Sequence, residues 1–232
     1  MLKINPRIFN VYPDLLVGGL VVKNINNKSN NQEITDLLRK EENELRRKFT
    51  PEEINQHPYI MAWKVAHKKF GNDPKKYMPS VWAVTKRVAK GGELPVINNL
   101  VDLYNYICLK YNVPVGGEDL DKCVGDIILD YANGEEEFIE LGANENNPPL
   151  KDEVVYKDEK GVLCRKFNWR EADRTKLTFN TKNALLVIEA LPPVNKEYLS
   201  EALNELKNLV NKYCGGEIES IILDKNADYS RV

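Results

Sequence analysis

The spacing of apolar residues changes once along this chain, near Pro114, and that change limits the fold more than any other feature. Before it, apolar residues recur at helical intervals. After it, most apolar runs are short and strand-like. Ile34, Leu37, Leu38 and Leu45, with Glu41 among them, mark a charged helix over about 33–48. Thr50-Pro51-Glu52-Glu53 carries a capping box and a proline at the first helical position, so a second helix begins there, with a break near Pro58. It runs on through YIMAWKVAHKKFG, turning Ile60, Trp63, Val65, Ala66 and Phe70 to the core and stopping at Gly71. Pro79 opens another helix and Gly91-Gly92 closes it. Leu100, Leu103, Tyr104, Ile107, Cys108 and Tyr111 share one face of a fourth.

Beyond Gly116-Gly117 the segments GDIILDYA, EEFIELG, EVVYKD, GVLCRKF and NALLVIEAL read as strands, with KDEKG as a hairpin loop. Asn195 opens a last helix, and GGEIESIILDK follows as a strand. The N-terminal RIFNVYPDLLVGGLVVKNI, with Pro13 and Gly18-Gly19 as breakers, reads as strand, turn, strand. Helices first and strands later argue for an α+β fold rather than an alternating parallel sheet. A chain of 232 residues buries a core without disulfide staples. Cys108, Cys123, Cys164 and Cys214 are scattered, which fits reduced thiols in the cytoplasm. With His57 and His67 the only histidines, neither a structural zinc site nor any other metal or cofactor is expected. No signal peptide and no membrane span is read from the sequence.

Two stretches stand out chemically. In CRKFNWREADRTKLTFNTKN the cations Arg165, Lys166, Arg170, Arg174 and Lys176 crowd around Phe167 and Trp169, directly before the apolar run from Ala184 to Leu191. The plain reading is a salt-bridged hairpin face, with Glu171 and Asp173 neutralising Arg170 and Arg174. The alternative is anion recognition, in which arginine forks grip phosphate, Trp169 stacks on a base, and Thr175, Thr178 and Thr181 add hydroxyl donors. A formal net charge of -2 excludes a uniformly basic nucleic-acid coat but not such a local face. The second stretch is PVGGEDLDK, residues 114–122. Its glycine pair lets a backbone approach a ligand, and Glu118, Asp119 and Asp121 follow as carboxylates. The plain reading there is a helix stop followed by a solvated acidic turn.

NNLVDLYNYICLKYNVPVGGEDLDK, GDIILDYANGEEEFIELG and LTFNTKNALLVIEAL together resemble the tRNA-editing domain of the bacterial phenylalanyl-tRNA synthetase beta subunit, over roughly residues 75–192. The chain is more similar still to free-standing proteins built from that domain alone. The resemblance implies a strand-rich, barrel-like core with packed helices, and one editing-type domain over 1–232: N-terminal strands and helices to residue 74, the core match over 75–192, and a C-terminal helix and strand from 193. It implies a trans-editing hydrolase that cleaves the ester between tRNA and a wrong amino acid, arginine-like analogues such as canavanine included. Its partner would be the aminoacylated 3' end of tRNA, with no DNA or membrane involved and the oligomeric state open. The expected pocket holds Glu118 and Asp119 as catalytic carboxylates. Gly116, Gly117, Asn105, Arg165, Trp169, Arg170, Asp173, Arg174 and Thr175 are expected to contact substrate. The synthetase domain tends to have histidine, alanine and an aromatic where this chain has Gly116, Gly117 and Glu118. No imidazole can therefore position the water, and Glu118 suits a cationic side chain. The alternative is a non-catalytic module that binds tRNA or an amino acid.

Overall fold

The computed structural model describes residues 1–28 and 30–229. The elements run β1 (Leu2–Ile4), α1 (Pro6–Val11), β2 (Leu16–Lys23), α2 (Gln32–Lys48), α3 (Pro51–Gln56), α4 (Pro58–Lys69), α5 (Ser80–Ala89), α6 (Asn99–Tyr111), β3 (Val115–Asp119), β4 (Ile127–Tyr131), β5 (Val154–Lys157), β6 (Val162–Arg165), β7 (Arg170–Glu171), β8 (Ala184–Ala190), α7 (Lys196–Cys214) and β9 (Glu217–Leu223). The fold is α+β. One sheet has the order β1-β4-β5-β6-β7 and the other β3-β8-β2-β9. Only the β1–β4 pair is parallel. Among the described residues the sheets stay separate and do not close into a barrel.

Local chemistry explains most boundaries. The Thr50–Glu53 capping box forms in full at the start of α3, and His57 separates α3 from α4. Asn195 caps α7 by accepting the Tyr198 N–H. The helix α6 ends at Asn112, whose backbone turns left-handed at φ 52°.

Four segments depart from the sequence reading. Arg7–Val11 is helical rather than extended, because the Asn5 side chain caps the Arg7 N–H and Pro6 takes the first helical position. Gly18-Gly19 lies inside β2, not in a turn. A Cβ on Gly18 would meet Leu199 of α7 at 3.3 Å, so the glycine lets the helix lie close on the sheet. Gly116-Gly117 belongs to β3, paired antiparallel with β8, and Glu118 and Asp119 after it are buried rather than solvated, while Asp121 is exposed. EEFIELG forms only isolated bridges, Ile139 with Asn146 and Glu140 with Ala172. Its Phe138 is buried in a satellite core with Ala132, Val155, Val162 and Ala172. Val65, read as a core residue, is half exposed.

Strand register fixes which side chains the two sheets share. Side chains alternate along a strand, so residues paired across it point to the same face. In the second sheet Gly116 pairs with Val187, and Val187 with Gly19, and this row faces the first sheet. Two residues away on the same face lie Glu118 beside Leu185, and Glu189 of β8. In the first sheet the matching row is Leu129, Tyr156, Cys164 and Glu171. The opposite face of the second sheet takes α7, through Gly18, Leu199 and Leu203.

Candidate active site

Between these facing rows the core is incomplete. A cavity of about 240 Å³ opens there, walled by Gly116, Glu118, Val187 and Glu189 on one side and by Tyr156, Cys164 and Glu171 on the other. Tyr104 and Asn105 of α6 and Val84 of α5 roof it, and Trp169, Arg170 and Glu140 stand at the rim. Gly116 makes room for the chemistry. A Cβ there would lie 2.9 Å from Oε1 of Glu171, so only glycine lets that carboxylate reach across from β7. A larger hollow of about 410 Å³ lies between α1 and α4, lined mostly by Val11, Met61, Ala62 and Val65. It contains none of the buried polar atoms that lack partners, so the chemistry points to the smaller cavity.

Four carboxylates line this space: Glu140 at the rim pairs with Arg170, and among the described residues Glu118, Glu171 and Glu189 make no salt bridge. Burial pushes the Glu118 pKa well above the usual carboxylate range, and the nearby Glu171 pushes it further. Thr175 and the more distant Arg174 only partly counter this. Burial also raises Glu171, against the pull of the Gly117 N–H. Glu189 rises to about 7 through burial, with Asn168 and Tyr156 drawing it back. The Thr175 hydroxyl lies beside Glu118 and the Tyr156 hydroxyl beside Glu189, in contacts too poorly aligned to satisfy Oε2 of Glu118 or Oε1 of Glu189 fully. A buried polar atom left without a good partner costs about 1–3 kcal/mol, and both oxygens border one cavity. The arrangement can therefore accept hydrogen bonds from a cationic group and can orient a water molecule. Among the described residues no three His, Cys, Asp or Glu side chains converge closely enough to hold a metal ion.

Of the residues singled out in the sequence, Gly116, Gly117, Glu118, Asn105, Trp169 and Arg170 line the cavity. The diglycine segment and the arginine hairpin thus share one hollow. The missing Cβ of Gly117 points away from it, toward Leu186 and Leu177. The remaining candidates lie elsewhere. Asp119 accepts the Thr181 hydroxyl at 2.7 Å and the Asp121 N–H at 3.1 Å. Arg165 is buried and forks onto Glu153 through two bonds of 2.8 Å. Arg174 forks onto Asp158 at 2.8 and 3.0 Å. Asp173 accepts Lys176 and the Gly142 N–H, and Thr175 is buried behind Glu118. The hairpin is held by ion pairs, but its partners come from distant segments: Arg170 pairs with Glu140 and Arg174 with Asp158. Glu171, Glu189, Tyr156 and Asn168 were not singled out as site residues. The signal for Glu189 is its position two residues after Val187 on an otherwise apolar strand face. Glu171 carries no such mark, because pairing it with Arg170 explains it equally well.

A family model described as B3/4 domain matches residues 62–215. The beta subunit of phenylalanine--tRNA ligase from Fusobacterium nucleatum subsp. nucleatum is 25% identical over 167 residues, covering 62% of this chain and 20% of the relative. The chain thus spans about a fifth of that protein's length. Among solved structures, an N-terminal fragment of the phenylalanyl-tRNA synthetase beta-subunit from Pyrococcus horikoshii matches 96% of this chain and 53% of its own, at 14% identity and a TM-score of 0.49.

Proposed function

Because this chain belongs to the B3/4 domain family, we propose that it is an editing-type hydrolase that frees tRNA of a wrongly attached amino acid whose side chain is cationic, such as arginine or canavanine. The observation that supports this reading is a cavity lined by the buried Glu118 and Glu189 and the half-buried Glu171, which make no salt bridge among the described residues. A buried charge calls for an opposite one, so the ligand supplies the cation. An aminoacyl ester brings its α-ammonium in every case.

The ester is already activated, so catalysis needs a held water and a stabilised oxyanion rather than a strong nucleophile. Glu118 and Glu171 hold the α-ammonium and orient the water. A carboxylate raised toward neutrality is suited to accept a proton from that water as it attacks and to pass it to the ribose oxygen as the ester bond breaks. Asn105 donates toward the carbonyl or ribose. At the rim, Trp169 offers a stacking face to the terminal base and Arg170 a fork to the terminal phosphate. The work takes place on tRNA in the cytoplasm and calls for no membrane; among the described residues no helix is long and apolar enough to cross one.

The test is a deacylation panel with tRNAs charged with arginine, canavanine, lysine, tyrosine, valine or isoleucine. Release of the cationic amino acids is expected. Release of none overturns the reading, and tRNA binding without release then indicates a binding module.

A further inference from the structure

We propose that Glu189, aimed by a buried relay through His67 and Asn168, is the residue that recognises the cationic end of the substrate side chain, while Glu118 and Glu171 take the α-ammonium. This assignment rests on the editing reading above, and it concerns residues far from each other in the chain.

The cavity has two unlike ends. At the rim, Arg170 is exposed and Glu171 half-buried, next to Glu140 and the exposed Leu141. At the inner end Glu189 is 3% exposed, and Tyr156, Phe167 and Asn168 are buried around it. A tRNA terminus is too large to pass inward, so the ester stays at the rim and the side chain points to the inner end. The carboxylates do not gather as a metal site does. Spread along one hollow, they suit an extended organic ligand with a positive group at each end.

A relay fixes Glu189. Nδ2 of Asn72 lies 2.7 Å from Nδ1 of His67, and Nε2 of His67 lies 3.2 Å from Oδ1 of Asn168. Nδ2 of Asn168 then donates to Oε2 of Glu189 at 2.7 Å. The directions agree only if His67 is neutral with its proton on Nε2, and burial does hold its pKa down, at about 4. Asn168 thus receives from His67 and gives to Glu189, which locks the carboxylate by one oxygen. The other, Oε1, has only the Tyr156 hydroxyl of the facing wall beside it, in a contact too poorly aligned to be a full hydrogen bond. A guanidinium or ammonium group arriving there satisfies Oε1, and a guanidinium also reaches the hydroxyl. His67 touches no substrate; it is a positioning residue.

The probes are L-argininamide, which carries both cations without a carboxylate, and L-citrullinamide, its isostere with a neutral side chain. Calorimetry on the wild-type protein at pH 7, where the probe keeps both charges, is expected to show at least a ~10-fold preference for argininamide, and Glu189→Gln to reduce it to ~2-fold or less. No argininamide binding by the wild type, or an unchanged preference in Glu189→Gln, overturns the assignment. Tyr156→Phe removes one hydroxyl at the same end and reads it independently: a ~3-fold or greater weakening toward argininamide is expected, and no change counts against the proposal. His67→Leu should lower the preference while His67→Gln, whose amide can still donate to Asn168, restores it. If both keep the preference and only melt earlier, His67 is a packing residue and the relay is refuted. Binding of argininamide without release from any charged tRNA would sink the editing reading and leave the subsite standing. Release of arginine from tRNA with an unaltered Glu189→Gln preference does the reverse.

Discussion

Gly116 and Glu171 meet across the gap between the two sheets, so closely that a Cβ on the glycine would stand 2.9 Å from the carboxylate oxygen. Gly116→Ala therefore tests the pocket directly. The methyl group displaces Glu171 toward the rim, and the expected loss in ester hydrolysis is ~10-fold or more. Stability should change little, by about 1 kcal/mol, because the displaced side chain is half-buried and can turn outward. Turnover and melting measured on the same preparation separate the two effects.

The buried carboxylates make stability fall as pH rises. The Glu189 pKa is about 7 in the folded protein against an ordinary 4.5, so the folded state holds that proton more tightly than the unfolded chain. The contribution is complete below the unfolded value and is lost as pH rises through about 7. Glu118 and Glu171 shift in the same direction. Ionising Glu189 removes up to ~3 kcal/mol. Urea titrations of the ligand-free protein should give lower stability at pH 8 than at pH 5, and a flat or rising profile contradicts the buried, unpaired carboxylates.

Cation binding should show the opposite trend. Only an ionised Glu189 attracts a guanidinium, so the affinity for L-argininamide should rise about 3-fold to 5-fold from pH 6 to pH 7, where the ligand keeps both its charges. An affinity that ignores pH over this range argues against carboxylate recognition.

Arg174→Ala should act on the fold. Its guanidinium covers Asp158, whose side chain is fully buried and also accepts the Val124, Lys160 and Gly161 N–H groups. Removing the cation leaves a buried charge and costs about 3 kcal/mol. For a chain of this size that lowers Tm by roughly 6–12 °C. The salt dependence of tRNA binding should be unchanged.

Arg170→Ala should do the reverse. Its pair with Glu140 is exposed and worth at most ~1 kcal/mol. The melting temperature should stay within about 2 °C of wild type, while the slope of log K against log salt for tRNA drops by about one. Unchanged salt dependence removes Arg170 from the contact.

The helical half of the fold was legible because caps and spacing act locally. Thr50, Pro51, Glu53 and Asn195 behave in the structure as their types suggest. The β3 strand was not legible, since Gly116-Gly117 looks like a break until β8 is known to lie beside it. The site divides the same way. Glu118 and Trp169 could be named from chemistry and resemblance, and both line the cavity. Arg165 and Arg174 look equally functional in a sequence, but Glu153 and Asp158, which claim them, come from elsewhere in the chain. Local charge density cannot reveal which cation already has a partner.

The cavity borrows its walls from β3, β7 and β8, and β8 is the strand that joins β3 to the rest of its sheet. A growing polypeptide on the ribosome therefore possesses no such cleft until residue 190 has emerged and the two sheets have docked. A product truncated before β8 lacks the wall that carries Val187 and Glu189, and with it any cavity for a ligand.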